Sequence, residues 1–369
     1  MTTFPDPFEE NLLNKWNGGE RPDILNFHAT PSLFLQLQPE KNLVDLADMD
    51  FVKNQLFDLS KLVTVNGKIF GPIINPPIGY GITYNKKVFT EAGITKLPTN
   101  YTELLEVCAT LKQKGFTPFY DGAADAFLLQ SVPAVLFGSG MYDDPGFLDR
   151  INQNKDSFTN PEFLDGIVGY KELIDKGYFN KDIVTGNYEG MQEAIMSGKT
   201  GMVGGGDWLH APITDKFGKD AVNETLGFFA MGNKFPVVSL YGGVGHACWY
   251  VVDTKDAAKI EGAKEFIKYI SGTAPYEQYY QEYVNGMSQI PTFKGFETPE
   301  LISPNLDLKN AMDKEKLTTW FALKLLVSYG PWHVYLQEMV AGRKTPEDVV
   351  KQMDKDFAAN AKAAGLAGF

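Results

Sequence analysis

The chain has 369 residues, 44 % of them hydrophobic and 22 % charged, proportions of an ordinary globular protein of about two domains. That apolar fraction excludes a wholly disordered chain, glycines and prolines without a fixed period exclude collagen-like sequence, and no apolar run approaches the roughly 20 residues of a membrane helix. A net charge of −12 argues against nucleic acid or an anionic membrane as partner.

Aromatic residues, at 13 %, are the one compositional excess, and flat rings serve either as core or as stacking surface for sugars and cations. Cys108 and Cys248 are far apart and unpatterned, and the four histidines are scattered, so no metal, cofactor or disulfide framework is expected. The first residues carry neither a basic n-region nor an apolar h-region, so no signal peptide is visible.

In chain order, residues 7–17 place Phe8, Leu12, Leu13 and Trp16 on one helical face, ended by Gly18-Gly19. Ile24 to Phe27 reads as a short strand ending at His28, and residues 68–71 and 80–84 as further strands. The proline-rich stretch around Asn75 between these two cannot be a central strand. Asn100 with Glu103 predicts a capping box for a helix carrying Leu104, Leu105, Cys108 and Leu111. Residues 117–120 read as a strand stopping at Asp121-Gly122. Asn160-Pro161 opens a helix with Phe163, Ile167, Tyr170 and Ile174 facing inward. Residues 201–206 form a strand that breaks into glycines before Asp207-Trp208, and residues 247–252 are the most β-like run. Residues 255–271 make an amphipathic helix, and Thr345-Pro346 caps a last one with Val349, Val350, Met353 and Phe357. This alternation predicts βα units and parallel sheets.

The glycine run at 201–206 lacks the parts of a phosphate loop, and its expected use is close approach of a ligand or backbone beside Trp208. Asp121, Asp125 and Asp207 fall at or near strand ends, where α/β folds keep ligands. Solvation or helix capping is the ordinary role of such acids, and no spacing here sets up the carboxylate pair of a glycosidase. Neither GxSxG nor HExxH nor a Ser/His/Asp signature occurs. Trp208, Tyr241 before Gly242-Gly243, and Trp332 after Tyr329-Gly330-Pro331 stand in glycine-flanked turns. A single tryptophan is most often core, but three such aromatics beside acids and amides suit a sugar pocket, rings covering C–H faces and polar groups taking hydroxyls.

Several motifs then occur in order along nearly the whole chain. They are Gly79-Tyr80-Gly81-Ile82-Thr83-Tyr84-Asn85-Lys86 with Phe89 and Gly93-Ile94, Pro98-Thr99-Asn100-Tyr101 with Glu103-Leu104, and Leu111-Lys112 with Lys114-Gly115 and Pro118. Gly198-Lys199 with Met202, Gly205-Gly206-Asp207-Trp208, a helix over 257–271 and Gly342 with Thr345-Pro346-Glu347-Asp348 follow. The set resembles the extracellular solute-binding proteins of bacterial ABC sugar importers. The resemblance implies an α/β, two-lobed periplasmic-binding-protein-like fold with a hinge (type II). Its lobes are placed at 1–118 plus 252–295 and at 119–251 plus 296–369, with crossings near 117–120, 247–251 and 287–292. It implies a non-catalytic monomer, extracytoplasmic as a periplasmic or lipid-anchored protein, that clamps a mono- or oligosaccharide between its lobes. Its partners would be membrane permease subunits driven by a separate ATPase.

Carried over by position, the resemblance points to Asp121, Trp208, Tyr241 with Gly243, and Trp332 as ligand contacts, with His28 and Asn75 from the first lobe; Asp125 and Asp207 join them as strand-end acids. Members of the family begin with a leader, a strand and a helix that have no counterpart before residue 7, so the first lobe is expected to be incomplete at its start. The rival readings are a glycan-active hydrolase and a sugar-sensing or adhesion module on the same fold.

Overall fold

The computed structural model describes residues 8–55, 59–242, 248–283, 291–295 and 300–369. Among them are ten strands: β1 (Ile24–Phe27), β2 (Thr64–Val65), β3 (Lys68–Ile69), β4 (Ile78–Asn85), β5 (Thr117–Phe119), β6 (Thr200–Gly206), β7 (Leu226–Phe229), β8 (Val237–Tyr241), β9 (Cys248–Val251) and β10 (Lys316–Thr319). The chain divides into two units, the first holding the described residues up to Pro77, those from Gly242 to 283, and 291–295, the second holding Ile78–Tyr241 and 300–369.

In the first unit β1 and β9 pair antiparallel, Ile24 opposite Val251 and Phe27 opposite Cys248. Side chains alternate across a strand, so the ribbon separates two apolar clusters. Leu25, Phe27, Cys248 and Tyr250 face Trp16, Phe34 and Phe70, while Val251 faces Leu46, Ala263 and Ile267. The helix Phe8–Asn17 buries Leu12 and Trp16, half of its expected inward face completely, and the Trp16 indole N–H donates to the Leu37 carbonyl at 3.2 Å. Ala263 and Ile267 come from the helix Ala257–Ile270, whose first N–H groups are accepted by the Asp256 carboxylate.

The second unit is built on one sheet of strand order β10-β8-β4-β6-β5, with β7 also paired to β4. β10 runs parallel to β8, and β5 parallel to β6, whereas β4 is antiparallel to β6, β7 and β8. The parallel sheet expected from the alternation is therefore present with β4 alone reversed. One edge of the sheet gathers the carboxyl ends of β5, β6, β8 and β10 and the start of β4. Behind the sheet lies the helix Ser131–Asp143, buried from Ser131 through Met141. A helix apolar all round carries no stripe, so periodicity gave it no signal. Gly204 allows it to approach, since a Cβ there would lie 2.5 Å from Val132 Cγ2.

Two expected boundaries move. Residues 78–118 belong to the second unit because β4 is its central strand, pairing on both sides, and 248–251 belong to the first because β9 pairs with β1. Most of the crossing expected near 287–292 lies outside the described residues. Helix caps follow the sequence closely. Asn100 accepts from the Glu103 N–H, although the Glu103 carboxylate turns back to the Thr99 N–H and hydroxyl and not to the cap's own N–H. The Thr345–Asp348 box is complete.

Candidate functional site

The carboxyl edge of the second unit's sheet carries a connected group of aromatic side chains. Tyr80, third residue of β4, sits opposite both Gly206 at the end of β6 and Ser239 in β8. Its ring centroid lies 4.4 Å from that of Trp320, the residue after β10, and 6.3 Å from that of Tyr241, which ends β8. Tyr241 and Trp320 lie 5.1 Å apart at 32°. The three rings meet because three neighbouring strands deliver them to one edge, and Trp320 is buried beneath the half-buried Tyr241.

Trp208 joins this group through its indole N–H, which donates to the Tyr80 hydroxyl at 3.2 Å. Its position depends on Gly206. A Cβ on that residue would lie 2.3 Å from Ile78 Cγ2 and 2.7 Å from Trp208 Cδ1, closer than real contacts permit. The close approach expected of the glycine run is thus made by a side chain of the same chain. On its other side Trp208 touches Tyr188 and Phe127, with centroids 5.6 and 5.9 Å away.

Burial, more than the nearby Tyr241, holds the Tyr80 phenol far above its ordinary range, and burial pushes the Tyr241 phenol up to about 12. Both hydroxyls are neutral at physiological pH and keep a proton to donate. Neutral phenols and an indole form an amphipathic surface, able to cover C–H faces and exchange hydrogen bonds with hydroxyls.

The acids serve the frame. Asp207 is 1 % exposed and accepts from the Gly79 N–H at 3.3 Å, tying the end of β6 to the start of β4. Asp125 accepts from the Tyr188 N–H at 2.8 Å, from a kink at φ −106°, ψ 77° in the segment Ala123–Gln130. Asp121 is a correction to the sequence reading. It is buried, with one carboxylate oxygen accepting from the Tyr170 hydroxyl at 2.8 Å and the other from the Gly122 N–H at 2.9 Å. Burial, against those two hydrogen bonds, pushes its carboxyl up to about 6.

Trp332 is a second correction. Only 1 % of it is exposed; its ring is enclosed by Phe137, Phe163 and Phe321, and its indole N–H donates to the Gln130 side chain at 2.7 Å. It supplies core, not a stacking face, in the second unit. His28 and Asn75 lie in the first unit. The His28 ring is buried and hydrogen-bonded to Glu9 at 2.8 Å, and its carbonyl accepts from the Tyr250 hydroxyl, which makes it part of that unit's packing. Asn75 is half-buried in the turn before β4. Gly243 lies outside the described residues.

Of the sequence-derived candidates, the second unit therefore brings together Asp207, Trp208 and Tyr241, with Asp125 behind Tyr188. Tyr80, Trp320, Phe127 and Tyr188 were not singled out as site residues. Tyr80 was signalled by its place in a strand leading from prolines, and Trp320 by following the β-branched pair Thr318-Thr319. Phe127 and Tyr188 carried no signal, since only packing brings them to Trp208.

The profile of a family described as bacterial extracellular solute-binding protein matches residues 8–276. Among curated proteins the chain is similar to the polygalacturonan/rhamnogalacturonan-binding protein YtcQ of Bacillus subtilis (strain 168), 29 % identical over 154 residues. That match takes in 39 % of this chain and spans 30 % of the relative's length. Among solved structures, a chitin oligosaccharide binding protein has a TM-score of 0.75 at 19 % identity, over 96 % of this chain and 88 % of that one. The apo-form of RafE from Streptococcus pneumoniae has a TM-score of 0.76 at 20 % identity, over 97 % and 89 %. RafE in complex with raffinose gives 0.75 at 19 %, over 97 % and 90 %. The fold is thus the two-lobed, periplasmic-binding-protein-like α/β fold.

Proposed function

The chain belongs to the family of bacterial extracellular solute-binding proteins, and from that premise we propose that it is the carbohydrate-binding component of an extracytoplasmic ABC import system. The observation that carries the proposal is the strand-end group of Tyr80, Trp208, Tyr241 and Trp320, joined by ring contacts and by the Trp208–Tyr80 hydrogen bond. Half-buried Tyr241 and Trp208 present ring surface, the neutral Tyr241 hydroxyl exchanges hydrogen bonds with the sugar, and buried Tyr80 positions the Trp208 indole. A net charge of −12 favours a neutral glycan over a uronate. The similar proteins named for chitin oligosaccharide, raffinose and polygalacturonan support a saccharide as the class of ligand.

Binding leaves the sugar unchanged, closes the two lobes about their hinge, and hands the sugar to membrane permease subunits. Thermal melting against a panel of neutral saccharides, with a galacturonate oligomer beside them, tests the reading. A ligand that binds only the native state raises the melting temperature by mass action. A rise with at least one neutral saccharide, larger than with the galacturonate, is the expected result. No rise with any saccharide overturns the carbohydrate assignment, and release of shorter fragments during incubation overturns the non-catalytic one.

A further inference from the structure

The turn that carries Trp208 is fastened to β4 at successive points. Asp207 accepts from the Gly79 N–H, the Trp208 indole N–H donates to the Tyr80 hydroxyl, and the His210 Nε2 lies 2.8 Å from the Thr83 hydroxyl. Residues 207, 208 and 210 thus meet residues 79, 80 and 83 in order along one strand. Side chains alternate across a strand, so those of Tyr80 and Thr83 stand on opposite faces of the sheet. The turn therefore straddles the sheet edge. Trp208 stays with Tyr80, while His210 grips Thr83 on the face of its cross-strand neighbour Val203, where Leu209, Ile213 and Leu226 pack.

That second grip is polar in apolar surroundings. Thr83, His210 and Asn305, from the helix Ser303–Lys314, are all buried. The Asn305 side-chain oxygen is hydrogen-bonded to the imidazole Nδ1, and Phe228, opposite Thr83 in β7, sets its ring edge-on to the imidazole with centroids 6.3 Å apart. Burial, against the Asn305 hydrogen bond, pushes the imidazole down to about 4, so the ring is neutral and carries one N–H. The Asn305 oxygen only accepts, so Nδ1–H donates to it and Nε2 accepts from the Thr83 hydroxyl. The Asn305 Nδ2 is buried without a hydrogen-bond partner among the described residues. An unpaired buried donor costs stability that an apolar contact here would keep. What the polar groups supply in return is direction, since hydrogen bonds fix one arrangement where apolar contacts tolerate several.

We propose that the Thr83–His210 hydrogen bond is a positioning contact for Trp208: it sets the register of the 207–210 turn on β4, and with it the place of the indole at the strand ends. Thr83 and His210 are buried and act through the turn, not on a ligand. Trp208 has one hydrogen bond of its own, to a phenol, and the residue before it is a glycine without a side chain to hold it. Asp207 fixes the upstream end of the turn on a backbone N–H. Without a downstream anchor the turn is free to pivot about that point, and Trp208 lies between the two. The proposal rests on the carbohydrate reading above for what Trp208 meets, and goes beyond it in assigning a role to residues on the far face of the sheet.

The test compares Thr83→Val, which keeps the shape and removes the hydroxyl, with Thr83→Ser, which keeps the hydroxyl. Thr83→Ala is the second hydroxyl-free variant and places no new group against the imidazole, so a valine variant that fails to fold leaves the comparison standing. The first readout is tryptophan emission of the whole protein without sugar, in the wild-type and in the Trp208→Phe background. The hydroxyl-free variants are expected to shift emission to longer wavelength as the indole leaves its half-buried place, the serine variant to return it towards the wild type, and all three to leave emission unchanged once Trp208 is phenylalanine. The second readout is calorimetric titration with the neutral saccharide that raises the melting temperature most. Affinity is expected to fall about two- to tenfold in the hydroxyl-free variants, the worth of one hydrogen bond, and to recover in Thr83→Ser. Unchanged emission in the hydroxyl-free variants overturns the proposal, as does the same shift in the Trp208→Phe background or an equal loss of affinity in all three variants. The emission pattern expected above, in a protein that binds no saccharide, supports the positioning contact and overturns the carbohydrate reading alone.

Discussion

Replacing Gly206 by alanine tests whether Trp208 is held in place by a missing Cβ. The residue sits at φ −97°, ψ 172°, a conformation open to any amino acid, so the substitution carries no backbone penalty and acts through sterics alone. The new methyl would come within 2.3 Å of Ile78 Cγ2, 2.7 Å of Trp208 Cδ1 and 2.8 Å of Trp208 Nε1. Movement of the Ile78 side chain leaves the clashes with Trp208 Cδ1 and Nε1 in place, so the indole must swing away. Overpacking of this kind costs about 1–3 kcal/mol, and loss of the Trp208–Tyr80 hydrogen bond adds roughly 0.5–1.5 kcal/mol. Urea denaturation is expected to show a destabilisation near the sum of the two, and calorimetry to show tenfold or greater weakening of the saccharide found by the melting panel. Gly204→Ala is the control. Its Cβ meets Val132 behind the sheet, 2.5 Å from Cγ2, so it destabilises by a similar amount with the affinity of the folded fraction preserved. Wild-type stability and wild-type affinity in Gly206→Ala would refute the packing argument; equal loss of affinity in both variants would refute the link between Gly206 and the site.

Three further outcomes follow from the same geometry. Trp332→Ala is expected to cost about 3–5 kcal/mol in urea denaturation, as for other large core aromatics, with the affinity of the folded fraction retained; a stable variant that loses binding would return Trp332 to the site. Tyr241→Ala is expected to weaken saccharide binding by about 0.5–1.5 kcal/mol in calorimetry while Tyr241→Phe keeps the stacking part, and equal effects of the two would assign Tyr241 to hydrogen bonding alone. The Asp121 carboxyl has a folded value of about 6, above its ordinary 3.8, so its contribution to stability is fully present below about 3.8 and is lost as pH rises through 6. At neutral pH the ionised group costs on the order of 3 kcal/mol, so the melting temperature of Asp121→Asn is expected to vary less than that of the wild type between pH 4 and 7. Parallel melting curves over that range would show that Asp121 is not the buried acid described.

Local signals in the chain were reliable where the physics is local. Asn100, Asn160 and Thr345 cap the helices they precede because a short polar side chain reaches its own neighbouring N–H groups wherever the helix lies. The helices Phe8–Asn17 and Ala257–Ile270 were legible from an apolar stripe, and β6 as a strand that breaks into glycines before Asp207-Trp208. The placement of Trp208 after a strand end was legible from the glycine run, whereas the strand that ends at Tyr241 was not foreseen. The helix Ser131–Asp143 left no such trace, because burial on every side removes the periodicity that reveals a helix.

Residue type and spacing thus established a chain of βα units with aromatics and acids at the strand ends. Which of those residues come together was settled by long-range pairing: β4 reversed within its sheet and set beside β6 and β8, more than a hundred positions away in the chain. That pairing gathers Tyr80, Trp208, Tyr241 and Trp320, while the packing of Phe137, Phe163 and Phe321 encloses Trp332, and the Tyr170 hydroxyl occupies Asp121. An indole in a turn and an indole in a core have the same neighbours in sequence. They differ only in what the rest of the chain places against them, and that is a property of the folded molecule.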